Sequence, residues 1–214
     1  MSAVTVNRMN SLRLARTASL ACLAGGTTQI IYGLLAIPFP YGQTAYGWDE
    51  LLWALVNIGM IGGAAGLLAL DVARPRPVAT IGAALTIIGN LIRIVVSVLL
   101  VIRPSEAAYV PFILISILLV VLGMTALGIT TVLGRRLRGW HSWTPLIAGA
   151  FTLLPVATYS INQFVHNILL GLWGVPWILV GYVVFAHAAS QKEAVQLEVP
   201  GAAMKQFQDP AHLS

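Results

Sequence analysis

The chain has 214 residues, 58% of them hydrophobic and only 9% charged, with a mean hydropathy of +0.86. Soluble domains carry about a quarter charged residues, so these proportions exclude an ordinary soluble enzyme or binding module, and the length allows one compact bundle rather than two separate cores. The formal net charge is +5, but the basic residues sit between apolar runs instead of clustering on a soluble face, so they read as determinants of membrane topology and not as a nucleic-acid footprint.

Residues 1–14 are polar and basic, with Arg8 and Arg13, and read as a cytoplasmic segment. The first spanning candidate covers about 15–37 and stops at the turn signal of Pro38 and Pro40. Its Cys22 is the only cysteine in the chain, so no internal disulfide and no CxxC redox or zinc motif is available, and a small apolar helix residue is the plain reading. Lipoprotein-type processing there is disfavoured, because Ser19 replaces the aliphatic residue wanted upstream and the apolar run continues past Cys22. A loop with Tyr41, Tyr46 and Trp48, suited to a membrane–water interface, closes on Asp49-Glu50. The Trp48-Asp49-Glu50 stretch resembles the acidic helix mouth of small membrane cyclases acting on isoprenoids; the resemblance covers three residues and carries no site over.

The second span, about 51–70, ends at Asp71-Val-Ala-Arg-Pro-Arg-Pro77, a breaker no helix continues through. The third, 78–102, is long enough to cross a bilayer with some tilt. The fourth, about 109–133, is closed by the arginine-rich stretch 134–139. The fifth covers about 143–161 and the sixth 164–188, with Pro176 expected to kink it or free a carbonyl one turn earlier. Residues 189–214 are polar, contain Pro200, Gly201 and Pro210, and read as a loosely ordered tail.

The N-terminus, the second and fourth loops and the tail hold ten of the twelve Lys and Arg residues. The positive-inside rule then expects both termini in the cytoplasm, which the even number of six spans satisfies. Arginine outnumbers lysine ten to two in an Ala-, Gly- and Val-rich chain, a codon-level hint of a GC-rich bacterial genome, so the expected location is a bacterial plasma membrane. The expected fold is all-α, a six-helix transmembrane bundle. A weak internal repeat also shows: Ala24-Gly-Gly-Thr-Thr28, Gly82-Ala-Ala-Leu-Thr86 and Ala148-Gly-Ala-Phe-Thr152 open the odd spans, while Gly59-Met60 and Gly123-Met124 recur in the second and fourth. Composition alone explains much of it.

The sharpest functional signal lies in the third span. Gly82, Thr86, Asn90, Arg93 and Ser97 share one helical stripe. A charge near the middle of a spanning helix costs about 2.5–3.5 kcal/mol on insertion scales, so Arg93 should face other helices or a wet cavity. Asn57, Gln29, Asn90 and Arg93 all fall between the outer surface and the midplane under this topology, with Glu50 and His166 nearer the outer ends of their spans. Glu50, Trp53 and Asn57 share one helix face, and Gly25, Gln29 and Tyr32 another. The expectation is an outward-facing polar pocket with two readings. Either Arg93 anchors the bundle, bonded to Asn57 and Gln29 and paired with Glu50, or its planar fork holds a carboxylate, a phosphate or a lipid head group.

Gly59, Gly62, Gly63 and Gly66 form overlapping GxxxG arrangements, expected to pack helices inside the bundle or to pair two copies. No Asp or Glu lies inside any span, which disfavours a proton-coupled pump. There is no HExxH, GxSxG or phosphate-binding glycine loop, so no cofactor or metal is expected. The leading expectation is binding or transport of a small or lipidic ligand with an anionic group at Arg93, Asn90, Asn57, Gln29, Glu50 and His166. The alternatives are an accessory or assembly subunit seated on another membrane protein, or a membrane-embedded enzyme using Glu50, Asp49 or His166 on a lipid-soluble substrate.

Overall fold

A computed structural model describes the backbone of residues 3–37, 48–103, 106–158 and 162–208. Every regular element among the described residues is helical: α1 (Ala3–Ala36), α2 (Trp48–Ala69), α3 (Arg76–Ile102), α4 (Glu106–Gly134), a 3-10 turn (Gly139–Trp143), α5 (Thr144–Phe151), α6 (Leu153–Thr158), α7 (Gln163–Leu172) and α8 (Gly174–Gln208). Five stretches are long and apolar enough to cross a bilayer: Val6–Ala36, Asp49–Ala69, Arg76–Ile102, Ala108–Gly134 and Gln163–Ala194. The chain is therefore built as a multi-pass membrane protein. Large apolar side chains such as Ile81, Val95, Leu118 and Leu133 stand more than half exposed on the outside of the bundle, where lipid rather than water is their natural solvent.

The fifth span differs from expectation. The described part of 143–161 is not one unbroken helix: a 3-10 turn reaches Trp143, α5 runs to Phe151, a turn occurs at Thr152, and α6 is described from Leu153 to Thr158. The sixth span is also interrupted, at Trp173 between α7 and α8. Both breaks have one cause. Pro155 and Pro176 each lie three residues past a break, and a proline there withholds the N–H due to a carbonyl one turn earlier. Pro111, by contrast, sits within α4, which continues through it. The start of α7 is fixed by Asn162, whose side chain accepts from the Val165 backbone N–H at 3.2 Å.

At the ends of the chain the helices run further than expected. The backbone of α1 starts at Ala3, inside the segment read as polar lead-in, and α8 continues to Gln208, through most of the segment read as a loose tail. Tyr41 and Tyr46, the expected interfacial aromatics of the first loop, lie outside the described residues, as does the side chain of Trp48.

The helices close into a ring in which α1, α2, α3, α4, α5 and α8 each touch the next and α8 returns to α1. Small residues set the spacing. At Gly25 an added Cβ would sit 2.8 Å from the Gly59 Cα, and at Gly82 it would sit 2.8 Å from the Gly123 carbonyl. Two consecutive hairpins, α1–α2 and α3–α4, thus cross on a glycine pair. Next to each pair a methionine, Met60 or Met124, is fully buried. The threonines of the sequence repeat make the same bond, Thr28 to Ala24, Thr86 to Gly82 and Thr152 to Ala148, each hydroxyl donating to the carbonyl four residues earlier. The glycine ridge of α2 is taken up within the chain: Gly59 and Gly62 meet backbone of α1, Gly63 meets Cys22 and Trp177, and Gly66 meets Val184 of α8.

These contacts differ in how far the neighbour can yield. A Cβ at Gly59 would fall 2.6 Å from the Ala21 carbonyl and the Gly25 Cα, both backbone, whereas at Gly63 its nearest atom is the Cys22 Sγ at 2.7 Å. Gly59→Ala should therefore destabilise the protein by about 1–3 kcal/mol, and Gly63→Ala by distinctly less. Thermal unfolding of both variants beside wild type in one mild detergent checks the order.

Candidate functional site

Arg93 is the charge that must be accommodated, and its surroundings come from four helices. Its guanidinium Nη1 donates to Glu50 Oε2 of α2 at 3.4 Å, with the two side chains only 14% and 9% exposed. Its Cζ stands 5.1 Å above the ring of Trp53, one turn further along α2. A desolvated cation–π contact of this kind is worth about 2 kcal/mol. The acid lies at the start of α2 and the arginine nine residues before the end of α3, so both belong to the same end of the bundle.

The aromatic ring under Arg93 extends the cluster. Tyr32 of α1 meets Trp53 edge-on, ring centroids 5.3 Å apart, and Trp173 lies 6.0 Å away on the other side. Trp173 is the residue at the α7–α8 break. Its indole Nε1–H donates to the hydroxyl of Thr152 at 3.1 Å, and Thr152 is the residue at the α5–α6 break. The two interruptions therefore face each other across a buried hydrogen bond. A continuous line runs Glu50, Arg93, Trp53, Trp173, Thr152 and joins α2, α3, the α7–α8 junction and α5. Both junction residues keep helical φ/ψ and their own backbone N–H bonds, Thr152 to Ala148 and Trp173 to Leu169, so the breaks are kinks in the helix path, and the side-chain bond serves to hold the two kinks together.

The remaining residues singled out from the sequence are buried but differently engaged. Asn57 donates from Nδ2 to the carbonyl of Trp53 at 2.6 Å, and Asn90 from Nδ2 to the carbonyl of Thr86 at 2.7 Å, each four residues back on its own helix. Gln29 reaches across to α7 and donates to the Leu170 carbonyl at 2.7 Å, in the last turn of that helix where carbonyls lack intrahelical partners. His166 places Nδ1 2.9 Å from the Pro155 carbonyl of α6, and Asn167 donates to the Ala36 carbonyl at the end of α1 at 2.8 Å. Of the six expected site residues, the structure joins Arg93 directly to Glu50. No hydrogen bond joins Arg93 to Asn57, Asn90 or Gln29 among the described residues. Trp173 and Thr152 were not singled out for this cluster; their signal is the proline three residues after each.

Some buried polar atoms have no partner: Gln29 Oε1, Asn90 Oδ1, Ser97 Oγ and the Trp177 indole nitrogen. Asn90 and Ser97 flank Arg93 on the buried face of α3 and are each 1% exposed. The Arg93–Glu50 contact is a single one and longer than the 2.7–2.9 Å usual for charge-assisted bonds. Among the described residues no group of three or more His, Cys, Asp or Glu is arranged to hold a metal ion. Chemically, the cluster can neutralise or exchange a carboxylate at Arg93, beside an aromatic wall and unpaired oxygen acceptors.

Removing one charge of the pair strands the other. Arg93→Met should cost about 3–5 kcal/mol, and adding Glu50→Gln to it should recover most of the loss. Unfolding curves for the single and double variants measure the coupling; additive losses would show that the pair is not the unit. Comparison with known protein families, with curated proteins and with solved structures finds no match, so the chemistry of this site is read from its own residues.

Proposed function

We propose that this chain is a six-span protein of the bacterial plasma membrane, both termini cytoplasmic, that binds and passes a small or lipidic ligand through an anionic group at Arg93. The observation that carries this reading is the meeting of two interrupted helices, at Thr152 and Trp173, beside the buried Arg93–Glu50 pair. Each break is a kink set by a proline three residues on, which frees a carbonyl one turn earlier, and such freed carbonyls are tolerated at membrane depth where they are buried in protein or line a cavity. The sixth crossing in this reading is the expected fifth span, which contains α5 and α6. The positive-inside rule, applied to the basic loops, supports an outward-facing Arg93 end.

In this mechanism the ligand's carboxylate or phosphate exchanges with the Glu50 carboxylate at Arg93. The existing contact is single and long, so a bidentate ligand gains hydrogen bonds that Glu50 does not make. Trp53 holds the guanidinium plane from below, and the Ser97 hydroxyl, which has no partner, can donate to the anion.

A structural role is the second reading, favoured by the Asn57 and Asn90 amides turned back onto their own helices. It suits an accessory subunit of a membrane complex. The two readings separate in one experiment. Wild type and the Arg93→Met/Glu50→Gln double variant, purified in the same mild detergent, are analysed by native mass spectrometry. Ligand binding predicts an anionic species that accompanies wild type and is lost at least tenfold in a variant that still folds. A bare protein in both cases, or one carrying another membrane protein, would favour the structural role.

A further inference from the structure

At the opposite end of the bundle from Glu50, two loops are latched together and turn their arginines outward. The α2–α3 connection crosses to α4: the Arg74 backbone N–H donates to the Thr130 carbonyl at 2.7 Å. A Cβ on Gly134, the last residue of α4, would sit 2.6 Å from the Val72 carbonyl. Val72, Ala73 and Leu137 are buried in the core, whereas Arg74, Arg76, Arg135, Arg136 and Arg138 are exposed. Asp71, held at a φ of 53°, pairs with Arg74, with Arg76 at 3.8 Å and with Arg136 at 3.6 Å.

One carboxylate cannot saturate this surface. The two loops carry five arginines against one aspartate, and each guanidinium has five N–H donors. Among the described residues Arg135 and Arg138 pair with no carboxylate, and Asp71 engages the other three only in part. Asp71 acts as a spacer that holds like charges in one place. Immediately beyond the arginines, Trp140 and Trp143 are about half exposed, at 49% and 52%. Exposed tryptophan beside a spanning helix marks the headgroup level of a bilayer. Clustered arginine at that level, with fork geometry suited to phosphate, is what an anionic headgroup recognises.

We propose that the latched loops Asp71–Arg76 and Arg135–Trp143 form a binding site for the phosphate of an anionic phospholipid headgroup, with Arg135 and Arg138 as its unpaired donors. The site is independent of Arg93 and of whatever ligand Arg93 takes. Core burial of Val72, Ala73 and Leu137 and the Asp71 pairs fix the loop backbone from which Arg135 and Arg138 project.

The test compares lipid retention by native mass spectrometry, from mixed micelles with equimolar phosphatidylglycerol and phosphatidylcholine. Wild type should retain phosphatidylglycerol preferentially. The Arg135→Gln/Arg138→Gln variant leaves every Asp71 pair intact and should lower that preference by roughly fivefold per arginine, with an unchanged Tm. The Arg8→Gln/Arg13→Gln variant removes equal charge from exposed positions of α1 and should retain the wild-type preference. Equal retention of the two lipids by wild type, or equal losses in the two variants, would overturn the proposal. Displacement of phosphatidylglycerol by millimolar inorganic phosphate, with a matching rise in Tm, would assign the site to free phosphate and overturn the lipid reading.

Discussion

A guanidinium carried into hydrocarbon has to be neutralised where it stands, and the interior of this bundle is arranged around that requirement at Arg93. Water is absent from the core of a bilayer, so the charge must find its counter-charge and its polar contacts within the protein. Glu50 supplies the first and Trp53 the face beneath it. Because Trp53 touches both Tyr32 and Trp173, the solution to one electrostatic problem also fixes the positions of α1 and of the α7–α8 junction. The junction in turn depends on Thr152 for its indole hydrogen bond.

Close helix approach is the other condition. Lipid removes the hydrophobic incentive for helices to associate, and van der Waals contact between backbones takes its place. The glycine pairs of the first two hairpins bring the helices near enough for side chains as short as serine, cysteine and threonine to matter. Cys22 is an example: its thiol donates to the Trp177 carbonyl at 3.2 Å in a fully buried position. Such a cysteine is part of the packing rather than a reactive group.

Much of this was legible in the residue order. The second, third and fourth spans are bounded by prolines, charged loops and apolar length, and these signals act locally, so α2, α3 and α4 begin and end near the expected places. The burial of the α3 stripe followed from the cost of exposing Arg93 to lipid, and Glu50 was the acid within reach. The directions of the amides were not legible. Asn57 and Asn90 donate to carbonyls four residues back on their own helices instead of meeting Arg93, and residue spacing alone does not separate these two directions. The interruption of the fifth span was signalled by Pro155 and overlooked because apolar length dominates a hydropathy reading. Pro111 shows why the signal is ambiguous: near the start of α4 it leaves the helix unbroken, since the donor it withholds serves a carbonyl in the first turn. The pairing of the two breaks through Trp173 and Thr152 needs the tertiary structure, because nothing in either segment names the other.

The latch between the α2–α3 loop and the end of α4 has a mechanical consequence. Backbone hydrogen bonding from Arg74 to Thr130, and the tight seating of Val72 against Gly134, pin the α3–α4 hairpin to α2 at one end. At the other end the link between α2 and α3 includes the Arg93–Glu50 ion pair. The two ends of the hairpin are thus held by contacts of different kinds: backbone geometry, indifferent to the charge around it, at the pinned loops, and an ion pair, sensitive to its electrostatic surroundings, at Glu50 and Arg93.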